Sequence, residues 1–116
     1  MSTPISFSLL QNLATEVRSG ILTTTPSVAG RCEGAAGDIG EALWRLGHDA
    51  ELVWGEYAHP CPQGYPTTGH CWVVVGGMIV DPTRGQFDDG PMVCDSRGSD
   101  SAKYHAHHAI LHSRID

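Results

Sequence analysis

The stretch Gly69–Thr83, GHCWVVVGGMIVDPT, constrains the fold more than any other part of the chain. Two short apolar runs flank a Gly-Gly pair, the signature of a hairpin closed by two residues with positive φ. With Gly76-Gly77 as the loop, Val75 pairs with Met78, Val74 with Ile79, Val73 with Val80 and Trp72 with Asp81. His70 lies two positions from Trp72, so its side chain emerges on the same face as Asp81. The two become diagonal neighbours, roughly 7–8 Å apart at the backbone, within reach of an imidazole–carboxylate hydrogen bond. Such a bond fixes the histidine tautomer and favours its cation. A three-residue loop would flip the parity and separate them. A histidine before a strand and Asp-Pro-Thr after one also serve as plain turn punctuation, with Pro82 ending the pairing. The pair therefore acquires a chemical meaning only if another residue completes it.

A hairpin with one apolar face needs a layer to cover it. Residues 7–19 place Leu9, Leu10, Leu13 and Val17 on one helical face, with a capping box from Ser8 and Gln11 and a stop at Gly20. Residues 21–31 read as a connector. Residues 32–46 return to helical spacing, with Ala35, Ala36, Ile39, Leu43 and Leu46 on one stripe and Gly47 as the C-terminal stop. Gly34, Gly37 and Gly40 each weaken that helix by up to about 1 kcal/mol, which suggests close packing against it. Residues 50–57 predict a strand, 58–69 a Pro/Gly-rich loop, and 84–100 a polar, turn-rich segment. The tail from Ala102 fits two periods: His108 and His112 a helical step, Tyr104, Ala106, His108 and Ile110 an alternation. No internal repeat divides the chain. The expectation is a single α+β domain over 1–116, with N-terminal helices packed on a small antiparallel sheet.

Bulk properties narrow the function. A net charge of −6 leaves no basic footprint for nucleic acid and no attraction to an anionic membrane surface. No apolar run approaches the roughly 20 residues of a membrane span. The start, MSTPISFSLL, has neither a basic n-region nor a long apolar h-region, so no signal peptide is expected and the cytoplasm is the expected compartment. At 41% apolar residues, 116 residues can build a modest core without a disulfide or metal framework. The four cysteines sit in unlike surroundings: Cys32 before a helix, Cys61 in a Pro-rich loop, Cys71 on a strand, Cys94 in a polar segment. That scatter fits four separate roles. His59, Cys61, His70 and Cys71, or His105, His107, His108 and His112, are metal-ligand types, but no spacing among them matches a closed zinc site. No cofactor or metal is expected.

Cys32 is the residue that completes the His–Asp pair. A thiol at a helix N-terminus has its pKa lowered by the helix dipole and free N–H groups. Arg31 would favour the thiolate and Glu33 would oppose it. A histidine that accepts the thiol proton forms the ion pair that a cysteine nucleophile needs, and the backbone N–H of Cys32 is a ready oxyanion donor. A small buried Cys is the plainer role for this residue.

Together, "GRCEGAAGDIGEALWRLGHDAELVWG" and "HCWVVVGGMIVDPT" resemble the transglutaminase-like branch of the papain-like superfamily. The pattern is a Cys opening a helix, an Arg-x-Leu-Gly-like helix end (here Arg45-Leu46-Gly47) running into a strand, His-x-Trp on a strand and Asp-Pro-Thr on the next. The likeness covers about residues 28–85 and keeps the order Cys, His, Asp. It implies a papain-like core, with Cys32 as nucleophile, His70 as general base and then acid, and Asp81 orienting His70. It implies a thioester with a protein or peptide substrate, and then peptidase, glutamine deamidase or transglutaminase activity according to the acceptor. Two departures stand out. Pro26 and Ser27 occupy the region where papain-like enzymes often place an oxyanion Gln, so the second donor is unassigned. No acidic cluster resembles a calcium loop. His59, Tyr65 and Gln86 are candidate rim residues on the flanking loops. A non-catalytic binding module of the same fold and a His/Cys metal-binding protein are the alternatives, and the oligomeric state is not legible.

Overall fold

A computed structural model of the chain describes residues 5–112. The architecture is α+β: helix α1 (Phe7–Leu22), helix α2 (Cys32–Arg45), then strands β1 (Glu51–Tyr57), β2 (Thr68–Val75), β3 (Met78–Val80), β4 (Val93–Asp95) and β5 (Tyr104–Leu111). The strands form one sheet in the order β4-β3-β2-β1-β5, every neighbouring pair antiparallel.

The hairpin has the register its glycines dictate. Val73 pairs with Val80, Val74 with Ile79 and Val75 with Met78. Gly76 and Gly77 hold φ of +55° and +77°, a conformation that costs an L-residue and not glycine. Alternation then sorts the side chains. Cys71, Val73 and Val75 join Leu10, Ala14, Ala36, Ile39 and Leu43 in the core between sheet and helices. Trp72 joins Val53, Ile79 and Cys94 in a smaller cluster on the opposite face, with Tyr104 packed against it.

The helices depart from expectation at their ends. Ser6, not Ser8, caps α1: its Oγ accepts from the Leu9 N–H at 3.0 Å. The helix also runs through Gly20, which lies in open space. Thr23 Oγ1 donates to the Gly20 carbonyl at 2.7 Å and Thr24 and Thr25 to that of Ile21 at 3.1 Å, so hydroxyls terminate α1. In α2, Ala35, Ala36, Ile39 and Leu43 are buried as expected, but Leu46 is 55% exposed because it is the C-cap and turns out of the stripe. Gly47 stops the chain with φ +86°. Close packing is confined to Gly40, where a Cβ would lie 2.7 Å from Leu52 Cδ1 and 2.9 Å from the His112 ring; Gly34 and Gly37 meet nothing.

The C-terminal third carries the larger corrections. The tail is strand β5 and not a helix, but the expected alternation holds only in part: Tyr104 and Ala106 share a face with Tyr57 and Gly55, whereas His108 and Ile110 fall opposite Trp54 and Leu52 on the other face. It lies along β1 with a bulge at Trp54/Gly55; residues 113–116 lie outside the described residues. The polar segment 84–100 contains β4 and two 3-10 turns, Arg84–Gln86 and Ser99–Lys103. Cys94 is buried in β4 rather than sitting in a polar loop. The segment is held by Arg84, a fully buried cation. Its Nε donates to Asp88 at 3.0 Å, Nη1 to the Pro91 carbonyl at 3.0 Å and Nη2 to Asp100 at 2.9 Å.

Candidate active site

β3 stops at Val80, opposite Val73. Beyond that point the chain turns through Pro82, and the Asp81 N–H donates to the Met92 carbonyl at 2.7 Å. Two consequences follow for β2. Its flank over residues 70–72 loses its strand partner, and Asp81 is delivered beside His70. The His70 Nε2–H donates to Asp81 Oδ2 at 2.7 Å, with both side chains fully buried. Asp81 Oδ1 accepts from the backbone N–H and the hydroxyl of Thr83, each at 3.2 Å. The diagonal pair expected from the hairpin register is therefore formed.

Aromatic rings wall the imidazole. Phe87 meets it edge-on at 4.9 Å between centroids, Tyr57 edge-on at 6.0 Å, and Trp72 lies near-parallel at 5.9 Å. Burial in such a box works against a positive charge. The hydrogen bond to Asp81 and the contact with Cys32 outweigh it, and the His70 pKa is raised to about 9. With Nε2 committed to Asp81, Nδ1 is the nitrogen left for the thiol; it makes no conventional hydrogen bond.

Cys32 is the first residue of α2 and is half-buried. Arg31, the N-cap, makes no side-chain cap bond, so no side chain competes for the first free N–H groups of the helix. The thiol pKa is lowered, first by its contact with the His70 ring, which falls short of a well-formed hydrogen bond, against the opposing effect of burial, and then by the charge of His70 and the Cys71 N–H on the unpaired flank of β2. Cys71 and Cys94 are pushed the other way by burial, Cys71 to about 12. All four cysteines are free.

One partner of the site was not legible in the sequence. The Tyr104 hydroxyl, from the start of β5, donates to Asp81 Oδ2 at 2.9 Å. Its face is set by the pairing of Tyr104 with Tyr57 and of Ala106 with Gly55, and a bulge reverses the parity beyond Ala106, so no alternation in the sequence could have found it. Tyr57 and Phe87 were likewise missed; they stack at 4.5 Å and 8° and close the wall over His70.

The expected rim residues divide. Tyr65 is 68% exposed and lines an open cavity of about 550 Å³ with Glu56, Gln63, Thr67 and Gly69, next along β2 from His70. The His59 ring packs 5.5 Å from Phe87, on the outer side of the wall. Gln86 is tied back to the Thr83 carbonyl at 3.1 Å and braces the Asp-Pro-Thr turn. The Pro26–Ser27 region supplies no amide side chain, and the Ser27 Oγ accepts from the Ala29 N–H at 3.1 Å.

No family model, curated protein or solved structure matches this chain. The geometry of the chain itself therefore carries the functional reading. His70 and Cys71 project to opposite faces of β2, and among the described residues no group of three or more His, Cys, Asp or Glu side chains is arranged to hold a metal ion. His107, exposed on β5, is paired with Glu56 at 2.6 Å. Among the described residues no helix is long and apolar enough to cross a membrane.

Proposed function

We propose that this chain is a cysteine-nucleophile acyl-transfer enzyme with a transglutaminase-like, papain-like core, acting on amide or peptide bonds of a protein or peptide. The observation that carries this reading is one buried imidazole, hydrogen-bonded through Nε2 to Asp81 at 2.7 Å, with Nδ1 uncommitted and the Cys32 thiol in contact with the ring from the first position of α2. Cys32 is the nucleophile, His70 the base and then the acid, and Asp81 the group that orients His70.

His70 takes the thiol proton and the Cys32 thiolate attacks the substrate carbonyl carbon, forming the C–S bond. The carbonyl oxygen becomes an oxyanion beside the first N–H groups of α2, the Cys32 N–H among them. Collapse breaks the C–N bond, and His70 passes its proton to the leaving amine or ammonia. The thioester is then attacked by water or by a primary amine. His70 removes a proton from that acceptor, and the thiolate leaves. Water yields an acid, by peptide cleavage or glutamine deamidation; an amine yields a new amide. A reducing compartment such as the cytoplasm suits four free cysteines and a thiolate that must stay unoxidised.

The test compares wild type with Cys32→Ala on mixed peptides and proteins, with and without an added primary amine, by mass spectrometry. Cys32-dependent products are expected: chain cleavage, a gain of about one mass unit at Gln, or amine incorporation at Gln. Identical product profiles for the two proteins contradict the proposal.

A further inference from the structure

Asp81 collects donors from more of the fold than a histidine-orienting carboxylate requires. Its two oxygens receive four: His70 Nε2–H at 2.7 Å and Tyr104 O–H at 2.9 Å on Oδ2, and the two Thr83 donors at 3.2 Å on Oδ1. A carboxylate offers about four lone-pair sites, so the set is full. Three donors belong to the hairpin and the turn that follows it. The fourth comes from β5, which borders neither β2 nor β3 in the sheet. It lands on the same oxygen that His70 uses.

The phenol is held in place from several elements. Its ring packs edge-on to Tyr57 of β1 at 5.0 Å, tilted on Trp72 of β2 at 5.0 Å, and the Arg84 guanidinium lies 5.9 Å from its centroid. Burial first, and then the charge of Asp81, hold the hydroxyl protonated far above the ordinary tyrosine range. It is a permanent donor.

We propose that Tyr104 is a positioning residue for His70, sharing Asp81 Oδ2 with the imidazole so that the carboxylate is fixed in orientation and tempered in its pull on the imidazolium. A second donor on one oxygen draws charge away from the first. Without the phenol, Asp81 holds the His70 proton more tightly. A His70 that stays protonated is a poorer base toward the acyl acceptor. This role rests on the reading of Cys32 and His70 as nucleophile and base.

The charged and titratable neighbours define the background of the test. His70 faces Asp81, the Cys32 thiol of α2 and, across the ring wall, the Tyr57 phenol. Tyr104 faces Asp81, Arg84, Tyr57 and the Cys94 thiol of β4. Arg84 is held charged and the Tyr57 phenol and Cys94 thiol are held neutral by upward shifts. His70 and Cys32 are thus the pair left to titrate, His70 at about 9.

The experiment is an NMR titration of the full chain with labelled histidine, in wild type, Tyr104→Phe and Tyr57→Phe, with His70 assigned from its loss in His70→Gln. Tyr104→Phe is expected to raise the His70 pKa by about half a unit to one unit, the worth of one hydrogen bond. Tyr57→Phe removes a hydroxyl that bonds Asp88 instead, and is expected to leave His70 in place. Should Tyr104→Phe fail to fold, Thr83→Val removes a donor from Oδ1 and is expected to shift His70 in the same direction by less. An unmoved or lowered His70 pKa, or an equal shift in Tyr57→Phe, overturns the proposal. The titration reads no turnover. A shifted His70 in a protein without Cys32-dependent products keeps the Tyr104 effect and removes the enzyme; an unmoved His70 in an active protein does the reverse.

Discussion

Gly55→Ala is the substitution with the largest effect for the fewest added atoms. Gly55 pairs with His70 on one side and sits at the bulge against β5 on the other. A Cβ there would lie 2.0 Å from the His105 carbonyl oxygen and 2.9 Å from the Trp72 ring. The oxygen belongs to the backbone, so no rotamer relieves it. Restoring an ordinary contact of 3.4 Å moves β5 outward by ~1.4 Å, enough to break the adjacent β1–β5 hydrogen bonds. Two such bonds at about 1 kcal/mol each, with the overpacking against Trp72, give a loss of about 2–4 kcal/mol. Urea unfolding should show a midpoint lower by about 1–2 M at unchanged m. Tyr104 precedes His105, so the same displacement should also draw the phenol from Asp81. Gly69→Ala is the control: its Cβ meets nothing within 4 Å, and its stability should stay within about 0.5 kcal/mol of wild type. A Gly55→Ala protein as stable as Gly69→Ala would refute the close approach of β5 to β1 at Gly55.

Asp81→Asn should drop the His70 pKa from about 9 to below 6.5, because burial remains and the carboxylate is gone; that is a change of about 3 kcal/mol. Iodoacetamide labelling of Cys32 at pH 7 should slow at least about tenfold relative to Cys61 of the same chain, and an unchanged ratio speaks against coupling through Asp81. Arg84→Met should lower stability by about 3 kcal/mol, since it leaves Asp88 and Asp100 without their buried cation; a thermal midpoint equal to wild type contradicts that role. Stability against pH offers a sign test. The His70 contribution is full below pH 6.5 and fades as pH rises through about 9, while that of Cys32 is complete above 9.0 and lost as pH falls. The two oppose each other in wild type, whose urea midpoint should vary less across pH 6.5–9 than that of Cys32→Ala. In Cys32→Ala the midpoint should fall as pH rises, and a flat or rising one contradicts the His70–Asp81 bond as the source.

The parts of the site that the sequence reveals are those fixed over short range. Gly76-Gly77 sets loop length, loop length sets parity, and parity brings His70 to Asp81. Cys32 is legible because the helical stripe begins there and Gly47 ends it. The parts it conceals are decided by distant pairing. β5 exposes most of its side chains on both faces, so it carries no apolar alternation, and only its register with β1 selects strand over helix. Tyr104 could not be placed before that register was known. β4 is three residues long, too short for any periodicity to register. Arg84 looks like a surface cation in a polar segment; partners up to 16 residues away bury it. Ser6 replaces Ser8 as a cap because cap choice depends on which hydroxyl reaches the third N–H beyond it, a local geometry that both serines satisfy on paper.

The most direct measurement follows the iodoacetamide rate of each cysteine in the native wild-type chain from pH 5 to 10, by peptide mass spectrometry. A thiolate–imidazolium pair predicts that Cys32 reacts ahead of Cys61, Cys71 and Cys94 at pH 6–7, with an inflection well below the ordinary thiol value of 9.0. A Cys32 rate that climbs with pH like an ordinary thiol, inflecting near 9.0 and no faster than the half-exposed Cys61, would contradict an activated nucleophile at the head of α2.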